Sequence, residues 1–252
     1  MKLTWIVGAS SGIGRALALQ LSKQGHSLIL SARGEAKLNE LKEGIGDNCY
    51  IFPFDVSDNN AITSAWNQIE RNFQTISTVI YCAGYYEAMS ADNFKLDVVE
   101  RIMDVNLLGA FRILNHVIPH FIKQRRGYIV LIGSIAGYRG LPNAIGYGAS
   151  KAGLIHLAEN LKCDLEKYNI DVQVINPGFV KTQLTDQNTF PMPFIISPET
   201  AAQHIANTIK KKSFESRFPF LFANGLKLLS KLPYWLYFFI IRKIIKITKT
   251  CE

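Results

Sequence analysis

A chain of 252 residues with 48% apolar and 19% charged side chains is not disordered, and four cysteines are too few for a small disulfide-stapled scaffold. The net charge of +8 is not a nucleic-acid signature. Residues 204–252 hold ten basic and two acidic side chains, so residues 1–203 balance at eighteen of each and the excess belongs to the tail.

In chain order, strands are expected at 3–7, 27–32, 49–53, 78–82, 128–132 and 171–175. Helices are expected between them at 12–24, 35–43, 59–73, 107–123 and 147–168. Most strand candidates are near-continuous apolar runs, as strands covered on both faces are. The alternation implies right-handed βαβ units in a doubly wound parallel β-sheet, a Rossmann-type three-layer α/β sandwich. Ligands of such sheets bind beyond the carboxyl ends of the strands. Met1-Lys2 runs straight into the first strand with no secretory pattern, so a cytoplasmic location is expected. Cys49, Cys82, Cys163 and Cys251 form no C-x-x-C pair and no His-spaced cluster. No metal is expected, and the first three read as small buried apolar side chains.

The first loop of interest is Gly8-Ala9-Ser10-Ser11-Gly12-Ile13-Gly14. It follows a strand directly and opens a helix. In that setting glycines let a pyrophosphate approach the backbone, and the helix N-terminus offers N–H groups and a positive dipole end. The spacing G-x-x-x-G-x-G resembles that of the short-chain dehydrogenase/reductase family. The second strand ends Leu30-Ser31-Ala32-Arg33, without the carboxylate that would bind ribose hydroxyls and repel a 2′-phosphate. Arg33 offers a planar cation there, and Ser10 a hydroxyl. NADP(H) is therefore expected in preference to NAD(H). Ser11 stands where related NADP(H) enzymes often carry a lysine or arginine, so that support is missing.

Other loops are similar to the same family. Asp55-Val56 corresponds to its acid-plus-apolar pair beside the adenine, and Ala83-Gly84 to the end of its Asn-Asn-Ala-Gly motif. Tyr81 and Cys82 depart from that motif, as Val7 departs from its usual threonine. After the sixth strand comes Pro177-Gly178-Phe179-Val180-Lys181-Thr182. The resemblance implies that the Val180 backbone holds the cofactor carboxamide and that Thr182 also contacts the cofactor.

Tyr147 and Lys151, four apart, share one helix face. A lysine cation beside a phenol favours the phenolate, which makes the pair suited to proton transfer at an alcohol or carbonyl oxygen. Such pairs are common on helices. Ser134 lies thirteen residues earlier at a strand end, where alone it would read as a cap or turn residue. Asn106 alone would read as a turn or helix-kink residue. The family resemblance, which covers about residues 3–210, implies a catalytic set of Asn106, Ser134, Tyr147 and Lys151. Tyr147 would exchange the proton, Lys151 would lower its pKa and hold the nicotinamide ribose, and Ser134 would polarise the carbonyl. Asn106 would hold a water linking Lys151 to solvent. Homo-oligomers through the helices near Asn106 and Tyr147 are also implied. An NADP(H)-binding sensor or scaffold without catalysis is the alternative.

Residues 183–196 read as an apolar lid containing Phe190, Met192, Phe194, Ile195 and Ile196. A lipophilic carbonyl or secondary alcohol substrate is expected. The chain thus divides into a cofactor-binding domain over 1–212 and a C-terminal extension over 213–252. The extension is expected to hold a seventh strand within 214–222 and a short helix at 225–232, broken at Pro233. Ten uncharged residues at 232–241 are about half a bilayer span. Arg242, Lys246 and Lys249 form a basic stripe near Tyr234, Trp235 and Tyr237. Two readings stay open for 225–249: a helix lying on an anionic membrane surface, or one packed on the substrate mouth or a partner subunit.

Overall fold

The computed structural model describes residues 2–188 and 190–250, the side chains of 245–250 excepted. Its seven strands are β1 (Leu3–Val7), β2 (Ser27–Ser31), β3 (Cys49–Ile51), β4 (Thr78–Tyr81), β5 (Gly127–Ile132), β6 (Ile170–Pro177) and β7 (Glu215–Phe218). All pair in parallel, in the order β3-β2-β1-β4-β5-β6-β7. Between them run α1 (Gly12–Ser22), α2 (Glu35–Ile45), α3 (Asn59–Asn72), α4 (Leu96–Met103), α5 (Gly109–Gln124), α6 (Ile145–Leu165) and α7 (Pro198–Lys211). After β7 come α8 (Phe220–Leu229) and α9 (Tyr234–Thr250).

The central strands β1, β2, β4 and β5 are mainly apolar because both faces are covered, whereas the edge strand β7 is largely polar and only half-buried. Trp5 and Val7 point into one core with Trp66, Ile113 and Leu154 of α3, α5 and α6. Ile6 points into the other with Leu17, Leu38 and Ile205 of α1, α2 and α7. The strand order reverses between β1 and β4, where Val7 is in register with Tyr81. A crevice opens beyond those two strand ends, and the site lies in it.

Two helices were not legible in the periodicity. α4 is a short amphipathic segment that a π-helical turn, Asp104–Leu108, joins to α5. α7 carries a Ser197 cap whose hydroxyl accepts from the Thr200 N–H, with Pro198 and Glu199 in its first turn. The seventh strand is shorter than expected. Pro219 has no N–H to extend the pairing, and Phe220 already belongs to α8. The cysteine expectation also needs correction. Cys49 is buried, but Cys82 is partly exposed and Cys163 is exposed on the polar side of α6, while Cys251 lies outside the described residues.

Candidate active site

A cleft of about 680 Å³ runs along the carboxyl ends of the strands. The glycine loop Gly8, Ser10, Ser11, Gly12, Ile13 and Gly14 forms one wall, and Arg33, Asp55 and Val56 one end. Ala83, Gly84, Ser134, Tyr147 and Lys151 line the middle, with Pro177, Gly178, Val180 and Thr182 opposite. Glycine is needed at Gly8 because its φ is +94° and a Cβ there would overlap the Ala83 backbone. A Cβ on Gly14 would overlap the Gly8 carbonyl, so the helix could not approach the turn. No side chain caps the start of α1. Its first-turn N–H groups face a cleft lined by the same residues, a fit for a pyrophosphate.

At the other functional wall, α6 presents Tyr147 and Lys151 one turn apart and β5 delivers Ser134 at its end. Burial pushes the Tyr147 hydroxyl up to about 12, while a hydrogen bond from Ser134 pulls it down. Burial lowers the Lys151 ammonium to about 8, against a weaker raising effect of Cys82. Lys151 Nζ donates to the Ile132 carbonyl at 2.9 Å and lies 5.6 Å from the Tyr147 ring centre. The expected lowering of the Tyr147 pKa by Lys151 is therefore not the net effect here. Desolvation of the phenol dominates, and the lysine's own charge is weakened by the same burial. The Cys82 thiol in this wall is pushed up to about 12 by burial, so it stays a thiol.

Asn106 sits behind the cleft, fully buried in the π-helical turn. Its Oδ1 accepts from the Tyr85 N–H at 2.6 Å. Its Nδ2 donates to the Tyr85 carbonyl at 3.0 Å and to Ser150 Oγ at 2.9 Å. Ser150 Oγ in turn donates to the Tyr147 carbonyl at 2.8 Å. Asn106 thus ties the 84–85 loop to the turn of α6 that carries Tyr147.

The family model for short chain dehydrogenases matches residues 2–191. The chain belongs to this family. An uncharacterized oxidoreductase of Myxococcus xanthus is 32% identical to this short-chain dehydrogenase-family chain over 231 residues, 90% of this chain and 91% of the relative. A 3-oxoacyl-[acyl-carrier-protein] reductase, FabG, of Thermotoga maritima is 30% identical, over 74% of this chain and 77% of its own. Among solved structures, the closed form of a serine dehydrogenase complexed with NADP+ superposes with a TM-score of 0.78 at 25% identity, covering 86% of this chain and 94% of that one.

The cleft of this family member also holds residues without a motif in the sequence. Lys37, in the first turn of α2, lines the same end of the cleft as Arg33. Arg33 Nη1 stands 3.7 Å from Asp55 Oδ2. Burial would raise the Asp55 carboxyl, but hydrogen bonds from the Ser57 N–H and hydroxyl, with Arg33 and Arg101, hold it below the usual range. The Tyr86 ring meets Tyr147 edge-on at 4.9 Å, and nothing in the sequence marked it. The Tyr86 hydroxyl donates to Asn188 Oδ1 at 2.9 Å, and Gln187 Nε2 donates to the Tyr86 carbonyl at 2.7 Å. These bonds fasten the 183–188 part of the lid over the Tyr147 side of the cleft.

The C-terminal extension meets the loop that follows Ser134. Tyr138 donates to Glu215 Oε1 at 2.8 Å, and Lys227 of α8 donates to the same oxygen at 3.2 Å. Arg139 Nη1 donates to the Ser230 and Leu232 carbonyls at 2.9 and 2.5 Å. Its guanidinium also covers the rings of Tyr234 and Tyr237 of α9, 4.3 Å from each. Two consecutive residues beside the Ser134 wall thus hold both C-terminal helices.

Proposed function

We propose that this cleft binds NADP(H) and that the protein interconverts a lipophilic ketone or aldehyde and its alcohol. The convergence of Ser134, Tyr147 and Lys151 on one wall, with the cations Arg33 and Lys37 at the far end of the same cleft, carries this reading. The α1 N-terminus and the loop from Gly8 to Gly14 would hold the pyrophosphate, with Ser10, Arg33 and Lys37 at the 2′-phosphate. Ser11 lines this end as well. Asp55 and Val56 would flank the adenine, and Ala83 and Gly84 the sugar that follows. Pro177, Gly178, Val180 and Thr182 would hold the nicotinamide end, with Lys151 at its ribose. When bound, the cofactor supplies or accepts the hydride.

The chain's own groups handle the proton and the orientation. A phenol near 12 is protonated at neutral pH, so Tyr147 Oη is set to donate to a carbonyl oxygen. The proposed preference for NADP(H) supports reduction as the forward direction. The Ser134 hydroxyl shares that oxygen and holds it against Tyr147. Below about pH 8 the Lys151 ammonium is charged and favours the phenolate left by proton donation. Asn106 positions this group through Tyr85 and Ser150. Gln187 and Asn188, bonded to Tyr86, hold the 183–188 segment at the Tyr147 side, and the apolar run that follows, which lies outside the cleft lining, favours a greasy substrate at the mouth. Exposed Leu108 and Phe111, beside the Asn106 turn and on α5, support self-association through that face.

Initial rates of NADPH consumption across carbonyl compounds of increasing apolar length test the reading. Rates that rise with chain length support it. NADPH binding without turnover of any member would favour a non-catalytic NADP(H) sensor or scaffold instead.

A further inference from the structure

The inner faces of α8 and α9 are built contacts. The Tyr237 hydroxyl donates to the Gly140 carbonyl at 2.5 Å, and Tyr237 and Ile241, one turn apart, are buried. With the Arg139 and Lys227 bonds, these contacts fix which side of each helix looks outward. On α9 that side carries Trp235, Phe238, Phe239 and Arg242, at i, i+3, i+4 and i+7, all exposed, with Lys243 next to them. On α8, Phe220 and Leu221 are 74% and 78% exposed. An outward aromatic stripe beside an anchored inner face is not core waiting to be packed.

Charge selects the occupant. Residues 220–250 contain no Asp or Glu but six Lys or Arg. Among the described side chains, Lys231, Arg242 and Lys243 are exposed. Aromatic rings with flanking long cations suit the headgroup zone of an anionic bilayer, where rings enter the acyl boundary and cations snorkel to phosphate. No helix among the described residues is long and apolar enough to cross a membrane, which leaves a position in the interface plane. The apolar surface also continues into the lid. Phe222 of α8 stacks on Phe179 and meets Phe194, each at 5.9 Å between ring centres, and Phe194 is itself 62% exposed.

We propose that the outward faces of α8 and α9 dock on an anionic phospholipid bilayer and hold the lid edge at the lipid surface. This surface lies outside the catalytic cleft, and its test needs no turnover. Trp235 is 73% exposed, while the other two tryptophans, Trp5 and Trp66, are buried. Its emission therefore reports the face directly.

The full chain is titrated with vesicles of phosphatidylcholine alone and of phosphatidylcholine with phosphatidylglycerol, at low salt. The expected result is a blue shift and quenching by brominated acyl chains with the anionic vesicles, and neither with the neutral ones. Arg242→Glu with Lys243→Glu should lower co-sedimentation at least about tenfold, since each cation near an anionic surface contributes to binding. Phe238→Ser with Phe239→Ser should abolish the Trp235 shift, while an unchanged thermal midpoint establishes that both variants fold. Absence of a shift with anionic vesicles overturns the proposal, as does equal binding to both vesicle types. A concentration-dependent shift without lipid, accompanied by a doubled mass in solution, would assign the face to a second copy and also overturn it.

Discussion

Replacing Arg33 by serine is expected to cost NADPH affinity and leave NADH untouched. A hydrogen bond to a charged group contributes about 1.5–3 kcal/mol, with the upper part of that range reserved for desolvated pairs. Arg33 is far from desolvated: its side chain is 64% exposed, and Asp55 stands 3.7 Å away. Solvent and the neighbouring carboxylate therefore hold the effect near the lower end, about 1.4–2 kcal/mol, or a ten- to thirtyfold fall in kcat/KM for NADPH. Lys37→Ala acts at the same phosphate through a less directional charge, and the two losses should not add fully because the groups share one partner. The assay is initial rate against concentration of each cofactor, at fixed carbonyl substrate. An equal loss for NADPH and NADH would refute the reasoning, and so would a wild-type protein that prefers NADH.

Two further outcomes follow from the buried polar groups. Between about pH 8 and the ordinary 10.5 of lysine, the unfolded chain carries a proton at Lys151 that the native state lacks. Unfolding free energy should therefore gain from Lys151 as pH rises through that window, by at most about 3 kcal/mol. Urea midpoints of the wild type and Lys151→Met on both sides of the window check this, and a parallel pH dependence in the two proteins would contradict it. Tyr81 is buried, and its hydroxyl donates to the Val105 carbonyl at 2.5 Å, one residue before Asn106. Tyr81→Phe should lose about 1–2 kcal/mol of stability and a few degrees of thermal midpoint, with kcat falling more than KM changes. A kcat equal to wild type would mean that the Asn106 turn is held by other contacts.

The sheet was legible because its strands are short apolar runs in a regular alternation with helices, and burial on both faces enforces that pattern. The cleft was legible because the glycine loop, Arg33, Ser134 and the Tyr147–Lys151 pair all sit at strand ends or helix starts. What the sequence hid depends on side chains meeting across distant elements. Tyr86 reaches Tyr147 and the lid only after folding. Asn106 is clear as a candidate, but its links to Tyr85 and Ser150 come from a π-helical turn with no simple periodicity. Arg139 belongs to no motif, and its hold on the C-terminal helices exists only once α9 packs against it. The direction of the Tyr147 shift also escaped, because spacing reports the nearby lysine and not the depth of burial.

Tyr147→Phe tests the central claim most directly, with NADPH binding and NADPH consumption measured on the same preparation. Removing one hydroxyl keeps the ring that packs on Tyr86 and leaves the cofactor end of the cleft intact. The account predicts NADPH affinity close to wild type with turnover of a lipophilic carbonyl lost by orders of magnitude. Turnover that survives the substitution would contradict the assignment of the proton to Tyr147.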